Sequence, residues 1–393
     1  MPSPSIVSIK KTKDAIPGRY IVTFKDSVDH DIGVSSVTDR IDPQSSVTHK
    51  WGFINGLAGT FTDADLELLR SHPHVASIEE DGYVHTQVPA SRNDGTWGLG
   101  RISSVFIPPG SDPNALTYTY KYDDSAGAGT DVYIIDTAGL WNPVARLLGS
   151  YFRCALIEAS AGRSVANLFT FPLPSGGYPN ADGNGHGTHC AGTAVSGPYG
   201  VAKAAHVIAV KVLSDAGSGS WADVISGMDW VATTAPATGR PSVASMSLGG
   251  GRVDAVNLAA NHLVAAGVTT VVAAGGSGDD AAKYSPASAS DVITVGASDI
   301  NDAKAPSSNY GAILAIWAPG VNIISTWNDG GKKTLSGTSM ATPHVAGVCA
   351  YLLGTDPTLT PKEIKKTIRV MALKGVLSGI PHGTTNRLLN NGL

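Results

Sequence analysis

Val132-Tyr133-Ile134-Ile135-Asp136-Thr137 is an apolar run that ends in a carboxylate. A run without polar alternation suits a strand buried on both faces, as in parallel sheets packed between helices. Similar runs recur at 206–212, 243–248, 269–273, 292–295 and 313–317, with helix-like stretches at 221–233, 253–266, 339–353 and 361–371. This alternation predicts an α/β fold of three layers around a mostly parallel central sheet. In such sheets sites form at the carboxyl ends of the strands, which puts Asp136 on the functional edge.

Two further motifs fit that edge. Asp182-Gly183-Asn184-Gly185-His186-Gly187-Thr188-His189-Cys190-Ala191-Gly192-Thr193 is a glycine-rich turn running into a small-residue helix, with His186 at its start. Gly337-Thr338-Ser339-Met340-Ala341-Thr342-Pro343 sets a serine between a glycine turn and a helix start, and Pro343 is expected in the helix's first turn. A hydroxyl is a poor nucleophile at neutral pH and needs a base within reach, with a third group holding that base's tautomer. Asp136, His186 and Ser339 supply those three roles in the chain order Asp, His, Ser. A metal site built on His186, His189 and Cys190 lacks a fitting carboxylate nearby in sequence, so His189 is expected to be a packed, hydrogen-bonded histidine and no metal is assigned.

With both motifs in this order, the chain resembles the subtilisin-like serine proteases, closest in pattern to the proteinase K family, from about Ile16 to the C-terminus. The resemblance implies that Asp136 orients the imidazole, His186 acts as base and then acid, and Ser339 attacks the scissile carbonyl. It implies that Gly217, Ser218 and Gly219 with Ser247, Leu248 and Gly249 flank an extended peptide. Glycine suits such places because a bound strand needs unobstructed N–H and C=O groups. Ala273, Ala274 and Gly275 match the wall of the primary specificity pocket. Nothing acidic lines these segments, so an apolar or aromatic P1 residue is expected. Cys190 resembles the free cysteine that the proteinase K group carries near its histidine.

The chain departs from the family pattern at three places. Where the family has an asparagine side-chain donor to the oxyanion hole, this chain has Gly276, leaving the Ser339 backbone N–H as the remaining donor. After Asp136 the family's Asp-Thr-Gly is Asp136-Thr137-Ala138, and residues 138–156 read as an insertion: a surface helix, a lid, or translated non-coding sequence. The aspartate of the family's calcium site is Ala315, so no calcium is expected there, since Ca²⁺ favours charged oxygens.

Residues 16–87 read as a small α+β unit with helices on one face of a sheet, resembling the ferredoxin-like propeptide that serves this family as intramolecular chaperone and inhibitor. Residues 1–15 form a tail, 88–96 a linker or cleavage segment, and 97–393 the catalytic domain. At a net charge of −4 with 15% charged residues, the chain has no basic run dense enough to track phosphates, which argues against nucleic acid. No apolar stretch reaches membrane-spanning length. The N-terminus as written lacks the apolar core of a secretory signal, while the family resemblance implies an extracellular monomer acting on peptides and proteins. Three widely spaced cysteines argue against a disulfide scaffold.

Overall fold

The computed structural model describes residues 6–12, 15–86, 96–108, 112–113, 115–122, 126–137, 152–154 and 181–392. Its N-terminal unit runs β1 (Ile9–Lys10), β2 (Ala15–Phe24), α1 (His30–Thr38), β3 (Ser46–Trp51), β4 (Gly56–Thr60), α2 (Asp63–Arg70) and β5 (Val75–Thr86). The antiparallel order β5-β2-β4-β3 with this βαββαβ succession is the ferredoxin-like arrangement. Val22, Leu57 and Ile78 of the sheet bury Val34, Val37, Leu66 and Leu69 of the helices on one face. Helix α2 starts where its sequence indicates, because the Thr62 hydroxyl accepts the Asp65 N–H at 3.2 Å. Helix α1 was not anticipated: Gly33 and its serine and β-branched residues have weak helical preference, and burial of Val34 and Val37 decides the matter.

The second unit contains α3 (Trp97–Ile102), β6 (Asp131–Asp136), β7 (Phe152–Cys154), α4 (His186–Val195), β8 (His206–Lys211), β9 (Ser218–Ser220), α5 (Trp221–Ala237), β10 (Ser242–Met246), β11 (Leu248–Gly251), α6 (Asp254–Ala265), β12 (Thr269–Ala273), β13 (Tyr284–Ser285), β14 (Ile293–Ser298), β15 (Ile316–Pro319), β16 (Ile323–Thr326), β17 (Lys332–Leu335), α7 (Thr338–Thr355), α8 (Pro361–Met371), β18 (Leu373–Lys374) and β19 (Arg387–Leu388). Parallel strands in the order β15-β14-β12-β10-β6-β8-β7 form the central sheet, with β19 and β18 at one edge. Alternate residues of β6 serve opposite layers: Val132 and Ile134 pack with α4 and α7, Tyr133 and Ile135 with α5 and α6. The three layers expected from sequence are therefore present.

Three boundaries differ from expectation. The run 243–248 is not one strand: β10 stops at Met246 and Leu248 opens β11, which leaves the central sheet to pair with β5. Of the run 313–317 only the end is strand, since Leu314 N–H closes a turn on Gly311 O at 3.2 Å. Helix α5 continues past Thr233 to Ala237.

The free face of the N-terminal sheet docks on α5 and α6. Trp51 donates from Nε1 to Ser226 Oγ at 3.0 Å, and Phe53 meets the His262 ring edge-on. At the start of α5 the Ala222 N–H reaches Asp81 Oδ1 at 3.2 Å. Asp81 is wholly buried, and that burial pushes its carboxyl up to about 6, with Arg19 at 3.2 Å offsetting only part of the effect. A raised carboxyl favours the docked state below the ordinary aspartate value and withdraws that support as pH rises through about 6. Folding stability is therefore expected to fall by roughly 3 kcal/mol between pH 4 and 6. Asp81→Asn flattens this dependence; denaturant titrations of both proteins across that window check it.

Candidate active site

Asp136 is the last residue of β6 and His186 the first of α4, so two different element ends meet at the carboxyl edge of the sheet. His186 Nδ1 donates to Asp136 Oδ1 at 2.7 Å, which leaves Nε2 as the acceptor nitrogen of the neutral ring. The Thr137 N–H also reaches Asp136 Oδ1 at 2.7 Å, and Thr137 Oγ1 accepts the Gly187 N–H at 2.9 Å. Asp182 organises the turn before the histidine: Oδ1 accepts the N–H groups of Asn184 and Gly185, and Oδ2 accepts both the N–H and the hydroxyl of Thr188. These bonds fix the imidazole between a carboxylate and a helix start.

Ser339 lies in the first turn of α7, wholly buried like Asp136, with His186 nearly so. Its hydroxyl donates to Ser247 O at 3.1 Å, and His186 Nε2 has no hydrogen-bond partner among the described residues. His186 Nε2 and the Ser339 hydroxyl are thus not bonded to each other.

Pro343 corrects the sequence expectation. The helix starts at Thr338, so the proline sits in the second turn rather than the first. A proline there removes the bond to the carbonyl four residues earlier, which is that of Ser339. That carbonyl is recovered by Ser247 Oγ at 2.8 Å and Cys190 Sγ at 3.5 Å. Ser247 and Ser339 therefore exchange hydroxyl-to-carbonyl bonds, which ties the end of β10 to the start of α7. Ser247→Ala removes the hydroxyl donor to the buried Ser339 carbonyl and is expected to lower stability by about 1–3 kcal/mol, read in a urea titration.

Gly275 follows β12 with φ +101°, where a Cβ would lie 2.5 Å from Asn309 Nδ2. Asn309 holds this loop: Nδ2 donates to Ala274 O at 2.9 Å while Oδ1 accepts the N–H groups of Ser277 and Asp279. The Gly275 N–H reaches Thr338 Oγ1 at 3.2 Å, bringing Gly275 and Gly276 alongside the residue before Ser339. Ala273 and Ala274 are buried at the end of β12.

The expected flanking segments lie on either side of a strand that is already present. β5 of the N-terminal unit runs antiparallel to β9, with Val84 opposite Gly219 and His85 opposite Ser218. On its other edge it runs antiparallel to β11, with His85 opposite Gly249 and Thr86 opposite Leu248. Glycine is required at 219, where a Cβ would lie 2.4 Å from Val212 O, and Gly217 turns the chain into β9 with φ +80°.

His189 points away from this site. Its Nε2 faces Ile323 O at 3.0 Å and Lys333 O at 3.1 Å, and burial, then repulsion by His186, pulls it down to about 3. It is the packed neutral histidine expected from sequence. Cys190 is buried, and desolvation followed by the Asp136 charge pushes its thiol well up, so it stays protonated as a donor to Ser339 O. Ligand atoms of Asp136, His186 and Cys190 lie within 4.8 Å of one another, but the carboxylate and imidazole are already bonded together. The sequence marks Ser247 as a peptide-flanking residue but not the bond from its hydroxyl to Ser339, and Asn309 carries no motif; their spacing from Ser339 and Gly275 gives no sequence signal.

The subtilase family pattern matches residues 167–390, and the peptidase inhibitor I9 pattern matches residues 19–87. A cuticle-degrading protease of Metarhizium anisopliae is 43% identical over 400 residues, covering 99% of this chain and 93% of the relative. Proteinase R of Parengyodontium album is 41% identical over 389 residues, covering 98% and 91%. The crystal structure of a cold adapted subtilisin-like serine proteinase superposes with a TM-score of 0.63 at 37% identity, over 76% of this chain and 98% of that one. With its three-layer sheet, its inhibitor-like N-terminal unit and these relatives, the chain belongs to the subtilase family of serine proteases, in its proteinase K-like branch.

Proposed function

We propose that the chain is a serine endopeptidase made as a self-inhibited precursor, in which Ser339 is the nucleophile, His186 the base and Asp136 the group that orients it. The observation that carries this reading is strand β5, which fills the place between β9 and β11 as a peptide substrate would. A peptide bound there presents its carbonyl to Ser339. His186 takes the hydroxyl proton at Nε2, the acyl-enzyme forms, and the same nitrogen returns the proton to the leaving amine. Gly217, Ser218, Gly219, Ser247, Leu248 and Gly249 line the backbone of that peptide, and Ala273, Ala274 and Gly275 the pocket for an apolar or aromatic P1 side chain. Residues 16–87 act as the inhibitor, 88–96 as the segment that is cut, and 97–393 as the catalytic domain; of the cut segment only Thr96 lies among the described residues.

The cuticle-degrading relative suggests structural proteins met outside the cell as substrates, with the enzyme working as a monomer. Among the described residues no helix is long and apolar enough to cross a membrane. Calcium at the family position does not suit this chain: Ala315 is buried and offers no carboxylate, and its carbonyl already accepts from Arg369 Nη1 at 3.4 Å.

A second reading is an impaired relative that binds peptide without efficient turnover. It is favoured by Gly276 and by the Ser339 hydroxyl bonding Ser247 O instead of His186. Active-site hydrogen bonds often tighten only with substrate bound, which keeps the endopeptidase reading first. A fluorophosphonate probe separates the two. Labelling of Ser339 that vanishes in His186→Ala supports the enzyme, whereas no labelling after removal of residues 1–87 supports the binding protein.

A further inference from the structure

Lys211 ends β8 and is the register partner of Asp136 in the neighbouring parallel strand. Its side chain is wholly buried, an unusual place for an ammonium unless it holds specific polar partners. Nζ donates to Thr137 O at 2.9 Å and to Asp215 Oδ1 at 2.8 Å. The first bond grips the backbone directly after Asp136. The second leads to the histidine: Asp215 Oδ1 also accepts the Gly183 N–H at 3.1 Å, and Asp215 O accepts Asn184 Nδ2 at 3.0 Å. Asn184 Oδ1 then takes the His186 N–H at 3.2 Å. Gly183 has no room for a side chain there, since a Cβ would lie 2.3 Å from Asp215 Oδ2.

Asp136 and His186 are fifty residues apart in the chain, yet their side chains must stay in one hydrogen bond. Thr137 directly follows the end of β6, and the 182–185 turn directly precedes His186. The Lys211–Asp215 pair bridges those two points from outside the dyad, with one cation holding the strand end and one carboxylate holding the turn.

We propose that Lys211, acting through Asp215, is a positioning residue of the reaction, holding the Asp136 strand end and the His186 turn at hydrogen-bonding distance; this rests on the peptidase reading above. Neither residue is among those placed against the peptide. A small displacement of a catalytic group costs about 10²-fold in rate, and that is the drop in kcat expected for Lys211→Met, with KM unchanged because β9 and β11 are left in place.

The full chain tests this by two readouts. The first is the low-field proton resonance of the His186 Nδ1–H bonded to Asp136, which reports the dyad whether or not the protein turns over. It is expected in the wild type and lost in Lys211→Met. The second is the split between kcat and KM after maturation. Asp215→Asn, at a partly exposed site, is expected to broaden the same resonance, and it decides the matter if Lys211→Met does not fold. Retention of the wild-type resonance in whichever variant folds overturns the proposal, as does a loss of activity carried by KM alone. A wild type that shows the resonance but fails to label with fluorophosphonate even after maturation defeats the peptidase reading, while the resonance comparison still decides the role of Lys211.

Discussion

His186→Ala is expected to abolish measurable turnover, lowering kcat by about 10⁶-fold, because nucleophile and base act as a unit in this family and removing one costs nearly what removing both does. The geometry explains why no neighbour substitutes. His189 has its Nε2 committed to two backbone carbonyls, and burial keeps its ring neutral and turned from Ser339. Cys190 is closer, but its thiol donates to the Ser339 carbonyl and is held protonated. Asp136 reaches the site only through the imidazole. Active-site titration against hydrolysis of a chromogenic peptide measures the loss. A residual rate dependent on Ser339 but not on His186 would require a second base that this structure does not contain among its described residues.

Gly276→Asn is expected to act in the opposite direction, raising kcat by about 10²- to 10³-fold, or some 2.7 to 4 kcal/mol of transition-state stabilisation. A side-chain amide at this position would add a donor for the oxyanion that forms only as the hydroxyl attacks, so KM should stay unchanged. The loop is prepared to receive it. Asn309 holds both sides of the turn, and the Gly275 N–H is anchored on Thr338 Oγ1, so the backbone at 276 is fixed relative to the start of α7. Left-handed backbone falls at Gly275 and not at Gly276, so an asparagine is not opposed by φ. Equal turnover of the two proteins on a peptide amide would mean that the hole is completed by another donor.

Much of this architecture was legible because its signals are local. Asp136 ends an apolar strand, His186 follows a glycine turn that needs no partner to be recognised, and Thr62 and Thr360 cap helices with residues three positions away. The glycines at 217, 219 and 249 read as a place for a strand only through the family resemblance, which also implies that the last strand of the N-terminal unit, ending near residues 84–87, lies in that cleft; β5 does. What stayed hidden depends on long-range partners. Ser247 is marked in sequence only as a peptide-flanking residue; that its hydroxyl exchanges hydrogen bonds with Ser339, 92 positions later, has no local signal. Pro343 was placed one turn too early because the helix start at Thr338 is set by the loop at Gly275 rather than by capping chemistry. Lys211 and Asp215 have helical spacing but sit across a strand end, so no periodicity points to them. The proposed insertion 138–156 lies mostly outside the described residues; Phe152–Cys154 within it forms β7 at the edge of the central sheet.

Strand β5 belongs to two sheets at once, pairing with β2 within the N-terminal unit and with β9 and β11 in the cleft. Cutting the chain anywhere beyond Thr86 therefore severs a connection without breaking a single one of these ladders. The clock for activity is then set by departure, not by scission. Activity should emerge after a lag in which the cut protein is already fully formed but still blocked, and each freed molecule that digests a detached N-terminal unit shortens the wait for the others. A progress curve that accelerates, with a lag that shrinks as mature enzyme is added, is the kinetic mark of that shared strand.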